Sequence, residues 1–195
     1  MALTFDAGAN DAAVAKILAT LRATQTSATF FLTGRWTRIY PAEARLVASR
    51  YPVGNHTVDH PDLTTLSPSA VRSEVTTAQR QIISIASRDP RPLFRFPYGA
   101  YDTSRLRVVN QLGYAAIGWT VDTLGWEGTS GGQSTSSVLA RVLAGLRPGE
   151  IVLMHVGSNP TDHSTLDADA LAAVIRAVRA RAYTFTTLPP YIQAR

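Results

Sequence analysis

The sequence predicts an α/β fold, and three features of its pattern support that prediction. Short apolar runs alternate with amphipathic stretches along 195 residues, polar residues follow several of the apolar runs, and serine, proline and glycine separate the segments. This alternation is typical of parallel strands joined by helices. About seven strands with six helices favour a distorted, incomplete (β/α) barrel, with a doubly wound open sheet as the alternative. The length fits one domain over residues 1–195.

The individual elements follow from the local periodicity. The predicted strands are residues 2–5, 28–32, 52–55, 93–96, 114–119, 151–155 and 183–186. The predicted helices are residues 11–23, 41–50, 69–86, 104–112, 136–146 and 167–181. Ser67 and Pro68 mark the start of the third helix, and Asp167 is the candidate N-cap of the last. Residues 125–137, rich in glycine, serine and threonine, are predicted to form a loop beside the site.

Composition limits the class of protein. No stretch approaches the roughly 20 apolar residues of a membrane-spanning helix. The absence of cysteine leaves histidine and carboxylate as ligands for a transition metal. The 19 Lys and Arg exceed the 14 Asp and Glu, but the arginines are scattered without a basic run, which argues against nucleic-acid binding. The chain already begins in a predicted strand, so we expect that a leader or N-terminal extension has been trimmed.

Two of the four histidines, His56 and His60, are four residues apart, a spacing that lets two imidazoles bind one cation. The same spacing also occurs among ordinary surface histidines, so the pair alone leaves both interpretations open. A third histidine, His155, ends the apolar run 151–154, as a residue at a strand end would. Its expected position opposite the other two favours proton transfer over a structural role.

Polar residues that follow the predicted strands are expected at one edge of the fold, because active residues of parallel α/β folds gather beyond the carboxyl ends of the strands. These residues are Asp6, His56, Arg95, Asp122 and His155. Taken singly, Asp6 could cap the following helix, Arg95 could lie on the surface and Asp122 could open a turn. Together they predict an active site, whereas Asp162 and His163 are expected to be ordinary loop residues.

Five segments, in this order along essentially the whole chain, resemble the polysaccharide deacetylases of carbohydrate esterase family 4. The segments are Thr4-Phe5-Asp6-Ala7-Gly8, His56-Thr57-Val58-Asp59-His60, Arg95-Phe96-Pro97-Tyr98-Gly99, Asp122-Thr123-Leu124-Gly125-Trp126 and Leu153-Met154-His155. The resemblance implies a distorted (β/α) barrel that holds one divalent metal ion, Zn²⁺ or Co²⁺, and removes an N-acetyl or O-acetyl group from a polymeric sugar.

The resemblance also assigns a role to each matching residue. His56 and His60 would bind the metal, Asp6 would act as the base, and His155 would protonate the leaving group. The remaining assignments concern the surroundings: Arg95 would pair with the base, the Tyr98 N–H would hold the oxyanion in a loop fixed by Pro97, and Trp126 and Leu153 would enclose the acetyl methyl.

Two positions depart from the family pattern. The family has a metal-binding second aspartate where this chain has Ala7, so the metal would be held by the two histidines with water or Asp6, Asp11 being less favoured. Many members have a second aspartate where this chain has Gly125. Asp122 is therefore the candidate for orienting His155.

The resemblance predicts a deacetylase of an N-acetylglucosamine-containing cell-wall glycan or of chitin-type oligomers, secreted or associated with the cell wall. The alternatives are an acetylxylan esterase, an amidase that acts on a non-sugar C–N bond, and a weak or inactive glycan-binding pseudoenzyme, the last suggested by Ala7 and Gly125. We expect a monomer whose partner is an acetylated polysaccharide and not a nucleic acid.

Overall fold

Strands and helices alternate along the chain in a computed structural model, which describes residues 1–188. The strands are β1 (Ala2–Ala7), β2 (Ala28–Leu32), β3 (Val53–Asn55), β4 (Leu93–Phe94), β5 (Ala115–Ala116), β6 (Val121–Asp122) and β7 (Ile151–His155). The α-helices are α1 (Val14–Ala23), α2 (Gly34–Ile39), α3 (Pro41–Ala48), α4 (Pro68–Ala86), α5 (Thr103–Gln111), α6 (Thr135–Gly145) and α7 (Leu166–Arg179). Seven parallel strands with intervening helices confirm the predicted α/β fold of the incomplete (β/α) barrel class.

Residue contacts divide the described chain into two compact units. The first unit comprises residues 1–29 and 119–187, and its strands have the order β1-β7-β6. The second unit comprises residues 30–118 with Leu188, and its strands have the order β2-β3-β4-β5. Within residues 1–188, none of the helices has the length and apolar character that crossing a bilayer requires.

The register of the first unit places strand ends side by side. Strand β1 pairs with β7 from Ala2 opposite Ile151 to Asp6 opposite His155. All six residues of β1 are buried, as expected for a parallel strand that is covered on both faces. Helix α7 packs an apolar face that includes Leu171, Val174 and Val178, all fully buried. The carboxyl ends of β1 and β7 are therefore held level by a rigid core.

The second unit has a core of its own around β4. Leu63, Val71, Val75, Phe94, Phe96, Val108, Val109 and Tyr114 form one buried cluster. Burying a large apolar side chain contributes roughly 1.5–3 kcal/mol, so this cluster anchors the segment that follows β4. Ser67 caps α4 by accepting a hydrogen bond from the Ala70 N–H at 3.3 Å, as the Ser67-Pro68 pair predicts.

Two predictions about elements are wrong, and two elements were not predicted. Residues 183–186 do not form a strand. The Tyr183 N–H bonds to the Val178 carbonyl at the end of α7, and the bonds of the Thr186 N–H and the Thr184 carbonyl to Met1 do not extend into a ladder. The short β6 and the six-residue helix α2 are additional elements that the periodicity missed. Asp167 is not the N-cap of α7: Thr165 occupies that position, and Asp167 lies in the first turn with its side chain buried.

Candidate active site

The residues predicted to act in catalysis divide between the two units. Asp6, Asp122, Trp126, Leu153 and His155 belong to the first unit. His56, His60, Arg95, Pro97 and Tyr98 belong to the second.

Asp6 and His155 are direct neighbours in the register of the first unit, at the carboxyl ends of β1 and β7. Asp6 is buried, and the His155 side chain is 30 % exposed. A buried carboxylate beside a partly accessible imidazole is a suitable arrangement for one group that accepts a proton and one that donates a proton. The prediction that each residue lies at the end of a strand is confirmed.

The carboxylate nearest to the His155 ring comes from Asp167, which the sequence motifs did not include. Its Oδ2 atom accepts a hydrogen bond from the His155 backbone N–H at 2.8 Å and lies 3.8 Å from the ring Nδ1. Its Oδ1 atom accepts a hydrogen bond from the Thr123 hydroxyl at 2.6 Å. The role of Asp122 as the partner of His155 stays a prediction; its Oδ1 atom accepts the Leu124 N–H at 2.9 Å.

The electrostatic surroundings favour the protonated form of His155. Burial of the ring lowers its pKa, but the carboxylates of Asp167, Asp6 and Asp122 together raise it by more, so the pKa of His155 lies above its ordinary value. The imidazolium therefore persists to higher pH than in an unperturbed histidine. This is the state that a general acid needs before it protonates a leaving group.

An indole ring lies beside the imidazole. The rings of Trp126 and His155 have centroids 6.4 Å apart in an edge-to-face arrangement, and Trp126 is 49 % exposed. Leu153 is two residues before His155 on β7, so its side chain leaves the sheet on the same face. Their predicted role, to surround an acetyl methyl, stays a prediction.

Asn159 fixes the segment that carries Trp126, and sequence reasoning missed it. The side-chain amide of Asn159 donates hydrogen bonds to the carbonyl oxygens of Trp126, at 3.0 Å, and Glu127, at 2.8 Å. Asp162 also acts locally, accepting the Thr129 hydroxyl at 2.9 Å and the Ser164 N–H at 2.8 Å. These bonds tie the loop after β7 to the loop that contains Trp126.

In the second unit, His56 and His60 lie in a loop directly after β3. Their ring centroids are 4.6 Å apart, and the rings are nearly perpendicular. The loop turns through two non-glycine residues with positive φ, Thr57 at +67° and His60 at +61°. Such a conformation is uncommon outside glycine and is held here by tertiary contacts. The two imidazoles are thus close together without any helix.

Hydrogen bonds from neighbouring elements fix this loop. The buried side chain of Asn55 accepts the Thr57 N–H at 2.9 Å and donates to the Val75 carbonyl, at 2.9 Å, and the Tyr114 hydroxyl, at 3.0 Å. The carboxylate of Glu74 accepts the Val58 N–H at 2.9 Å. The histidine pair is therefore positioned by β3 and α4.

The tautomer of His56 fits a metal ligand. His56 Nδ1 lies 2.8 Å from the Arg95 carbonyl oxygen, which can only accept a hydrogen bond. Nδ1 therefore carries the proton, and Nε2 keeps the lone pair with which it would bind a metal. Among the described residues, no group of three or more His, Asp or Glu side chains is arranged to hold a metal ion, so the fit rests on this pair.

Arg95 is a fully buried cation at the end of β4. Its guanidinium donates to the carbonyl oxygens of Ile117 and Gly118, both at 3.3 Å, and lies 4.1 Å from the centre of the Phe31 ring. The sequence alternative of a surface arginine is wrong, because the side chain is completely enclosed. Pairing of Arg95 with the base stays a prediction.

Pro97 and Tyr98 form a tight turn after Arg95. Pro97 is buried, whereas Tyr98 is 69 % exposed and has φ +58°, a left-handed conformation. The Tyr98 ring packs edge to face against His60, with centroids 4.6 Å apart. This turn places an exposed aromatic ring beside the histidine pair; the predicted oxyanion contact from its N–H stays a prediction.

Comparison with known proteins identifies the family. The family model described as polysaccharide deacetylase matches residues 1–117. The chain is 33 % identical to a chitooligosaccharide deacetylase of Azorhizobium caulinodans, over 96 % of this chain and 91 % of that protein.

Two solved structures are also similar. The structure of a peptidoglycan N-acetylglucosamine deacetylase superposes with a TM-score of 0.89 at 30 % identity, over 100 % of this chain and 88 % of that chain. The structure of a CE4 family pseudoenzyme from Bacillus anthracis superposes with a TM-score of 0.88 at 27 % identity, over 97 % of this chain but 64 % of that chain, so this chain spans less than two thirds of that protein. With its segments, strand pattern and these relatives in agreement, the chain belongs to the polysaccharide deacetylase family.

Proposed function

We propose that this chain is a metal-dependent deacetylase that hydrolyses N-acetyl groups of an N-acetylglucosamine-containing polysaccharide. Membership of the family and similarity to a chitooligosaccharide deacetylase and a peptidoglycan N-acetylglucosamine deacetylase support this substrate class. The observation that carries the proposal is the pairing of Asp6 with His155 at adjacent strand ends. A glycan-binding module would need neither group.

His56 and His60 are the residues that would hold the metal, Zn²⁺ or Co²⁺. His56 presents Nε2 as a lone-pair donor, and the centroids of the two rings are 4.6 Å apart. When bound, the ion would polarise the acetyl carbonyl and lower the pKa of water. The bond from His56 Nδ1 to the Arg95 carbonyl would keep the imidazole in one tautomer and orientation.

Asp6 and His155 would move the protons of the reaction. The carboxylate of Asp6 would accept a proton from the attacking water as that water forms its bond to the acetyl carbon. His155 would then transfer its ring proton to the sugar nitrogen as the C–N bond breaks, so the products are acetate and a free amine. The raised pKa of His155 supports this role, since it favours the protonated ring.

The experiment that tests the proposal is acetate release by metal-stripped protein, measured with and without added Zn²⁺ or Co²⁺, from N-acetylglucosamine oligomers and from acetylated xylan. We expect metal-dependent release from the oligomers. Release from xylan alone would support the acetylxylan esterase instead. Activity on a small N-acetylated compound that is not a sugar, with none on either glycan, would indicate the amidase.

A pseudoenzyme is the second candidate because the family's metal-binding aspartate is replaced here by the buried Ala7. A similar solved structure is that of a CE4 family pseudoenzyme, and a mutant of that protein is described as having restored enzymatic activity. In the same assay, folded protein that binds the oligomers but releases no acetate with either metal would establish this alternative.

We also propose that the protein acts outside the cell or at the cell wall, where such glycans occur.

A further inference from the structure

The region around His155 contains a carboxylate that the family segments do not account for. Asp167 lies in the first turn of α7, is buried, and uses both carboxylate oxygens within this region. Oδ1 accepts the Thr123 hydroxyl at 2.6 Å, and Oδ2 accepts the His155 N–H at 2.8 Å. The carboxylate is therefore held rigidly from two sides.

The ring of His155 lacks a hydrogen-bond partner at its inner nitrogen. Among the described residues, Nδ1 is buried and receives or donates no hydrogen bond, and Asp167 Oδ2 lies 3.8 Å away. A buried polar atom without a partner is costly. Hydrogen bonds in active sites without substrate are often long and shorten when the complex forms, so a small rotation of the imidazole would complete this bond.

Gly125 explains how Asp167 has room for its carboxylate. A Cβ atom added at Gly125 would overlap both carboxyl oxygen Oδ1 and carbon Cγ of Asp167. Many members of the family have an aspartate at the position of Gly125. In this chain, a carboxylate from α7 therefore fills space that a side chain at position 125 would otherwise occupy.

We infer that Asp167 is the positioning residue of His155, and that it supplies from α7 the carboxylate that position 125 has lost. This inference rests on the proposed function, because it concerns the proton donor of that reaction. In the complex with substrate, Asp167 Oδ2 would accept a hydrogen bond from the Nδ1–H group of His155 and so direct Nε2 toward the leaving group. Three acidic groups face His155, namely Asp6 from β1, Asp122 from β6 and Asp167 from α7, and only Asp167 also bonds to the His155 backbone.

The test substitutes Asp167→Asn in the full chain and follows the His155 ring by NMR with ¹⁵N-labelled histidine, the signal being assigned with His155→Gln. We expect the titration midpoint of His155 to move down by about one pH unit. The alkaline limb of the pH profile of kcat should move in the same direction. We expect kcat to fall about tenfold to a hundredfold with KM nearly unchanged, whereas a purely structural role would lower stability and leave the midpoint in place.

Asp169→Asn is the matched control, because Asp169 is an exposed acid in the same turn whose ion pair with Lys16 has an N–O distance of 2.5 Å. It should leave the His155 midpoint unchanged. If Asp167→Asn does not fold, Thr123→Val removes the hydroxyl that holds Oδ1 and should give a smaller shift in the same direction. An unshifted midpoint in whichever of these two variants folds overturns the inference.

A separate experiment tests whether a carboxylate at position 125 can replace the one at position 167. Asp167→Ala should lower the His155 midpoint, and the double variant Gly125→Asp with Asp167→Ala should restore it. A midpoint that stays low in the double variant overturns the idea that the two carboxylates are interchangeable. The NMR readout is independent of turnover: a shifted midpoint in a protein that releases no acetate would retain the positioning role and reject the deacetylase proposal.

Discussion

The acid-base group of the first unit and the histidine pair of the second unit are built in different ways. Asp6 and His155 lie at the ends of regular strands in register, and Asp167 projects from a regular helix. His56 and His60 lie in a loop that includes two positive-φ residues and depends on side-chain hydrogen bonds. The first arrangement follows from backbone geometry, whereas the second follows from tertiary contacts.

The two departures from the family pattern, at Gly125 and at Ala7, also differ. Near His155, Gly125 lacks a carboxylate, and Asp167 fills the space with one. For the metal, Ala7 lacks a carboxylate, and within residues 1–188 there is no group of three metal-binding side chains. A carboxylate is thus found in place of the one lost at position 125. We expect full proton-transfer chemistry with a metal bound more weakly than is usual for the family.

Asp6→Asn should have the largest effect on activity. The amide cannot accept a proton from water, so we expect kcat to fall by a factor on the order of 10² to 10⁴. The change is close to isosteric, and the melting temperature should remain near that of the unmodified protein. Acetate release from N-acetylglucosamine oligomers measures the effect. Activity within a few fold of the unmodified protein would remove Asp6 from the role of base.

His56→Ala should remove the response of the fold to metal. An ion that binds only the folded chain stabilises it by about 2.7 kcal/mol when its concentration is a hundred times Kd. Added Zn²⁺ or Co²⁺ should therefore raise the melting temperature of the unmodified protein but not of this variant. His163→Ala, a change in the loop after β7, is the control and should keep the metal response. An equal rise in the His56 variant would show that the ion binds elsewhere.

Asn55→Ala should disturb the histidine loop without touching either imidazole. The change leaves the Thr57 N–H and the Tyr114 hydroxyl without their buried partners, so we expect the free energy of unfolding to fall by about 2 to 3 kcal/mol. Tyr114→Phe removes only one of these hydrogen bonds and should cost about 1 kcal/mol. Urea unfolding measures both. If Asn55→Ala costs no more than Tyr114→Phe, the loop is held by other contacts.

The positions of Asp6 and His155 could be predicted from the sequence because a polar residue directly after an apolar run marks the end of a buried parallel strand. Asp6 and His155 each close an apolar run, and the observed register confirms their positions. Asp167 was missed because it was read as a helix cap. A signal was available: Asp167, Leu171, Val174 and Val178 recur at helical spacing on the buried face of α7. An acid in that series indicates a carboxylate directed into the interior.

The histidine loop could be predicted in composition but not in shape. Its positive-φ residues are threonine and histidine, and no glycine marks the turn in the sequence. The loop conformation depends on Asn55 and on Glu74, the latter many residues later in the chain. Helix α2 was not predicted for a related reason, because six residues are too few to show helical periodicity. Its start is fixed by Thr33, whose hydroxyl accepts the Trp36 N–H at 3.1 Å.

Ala7→Asp tests whether the lack of an aspartate at position 7 limits metal binding. The family pattern assigns a metal-binding aspartate to this position, so we expect the Kd for Zn²⁺ to fall about tenfold, equivalent to ~1.4 kcal/mol. Ala7 is fully buried, and a buried carboxylate without a cation is destabilising. The variant should therefore melt at a lower temperature than the unmodified protein without metal and gain more stability when metal is added.

Ala7→Asn separates charge from size in this experiment. The amide has nearly the volume of the carboxylate, so it should reproduce the loss of stability but not the tighter binding. Calorimetric titration with Zn²⁺ compares the three proteins. If Asp and Asn at position 7 give the same Kd as alanine, this position does not act on the metal, and a pair of histidines suffices in this chain. If only the aspartate tightens binding, the alanine at position 7 lowers the affinity of this chain for the ion.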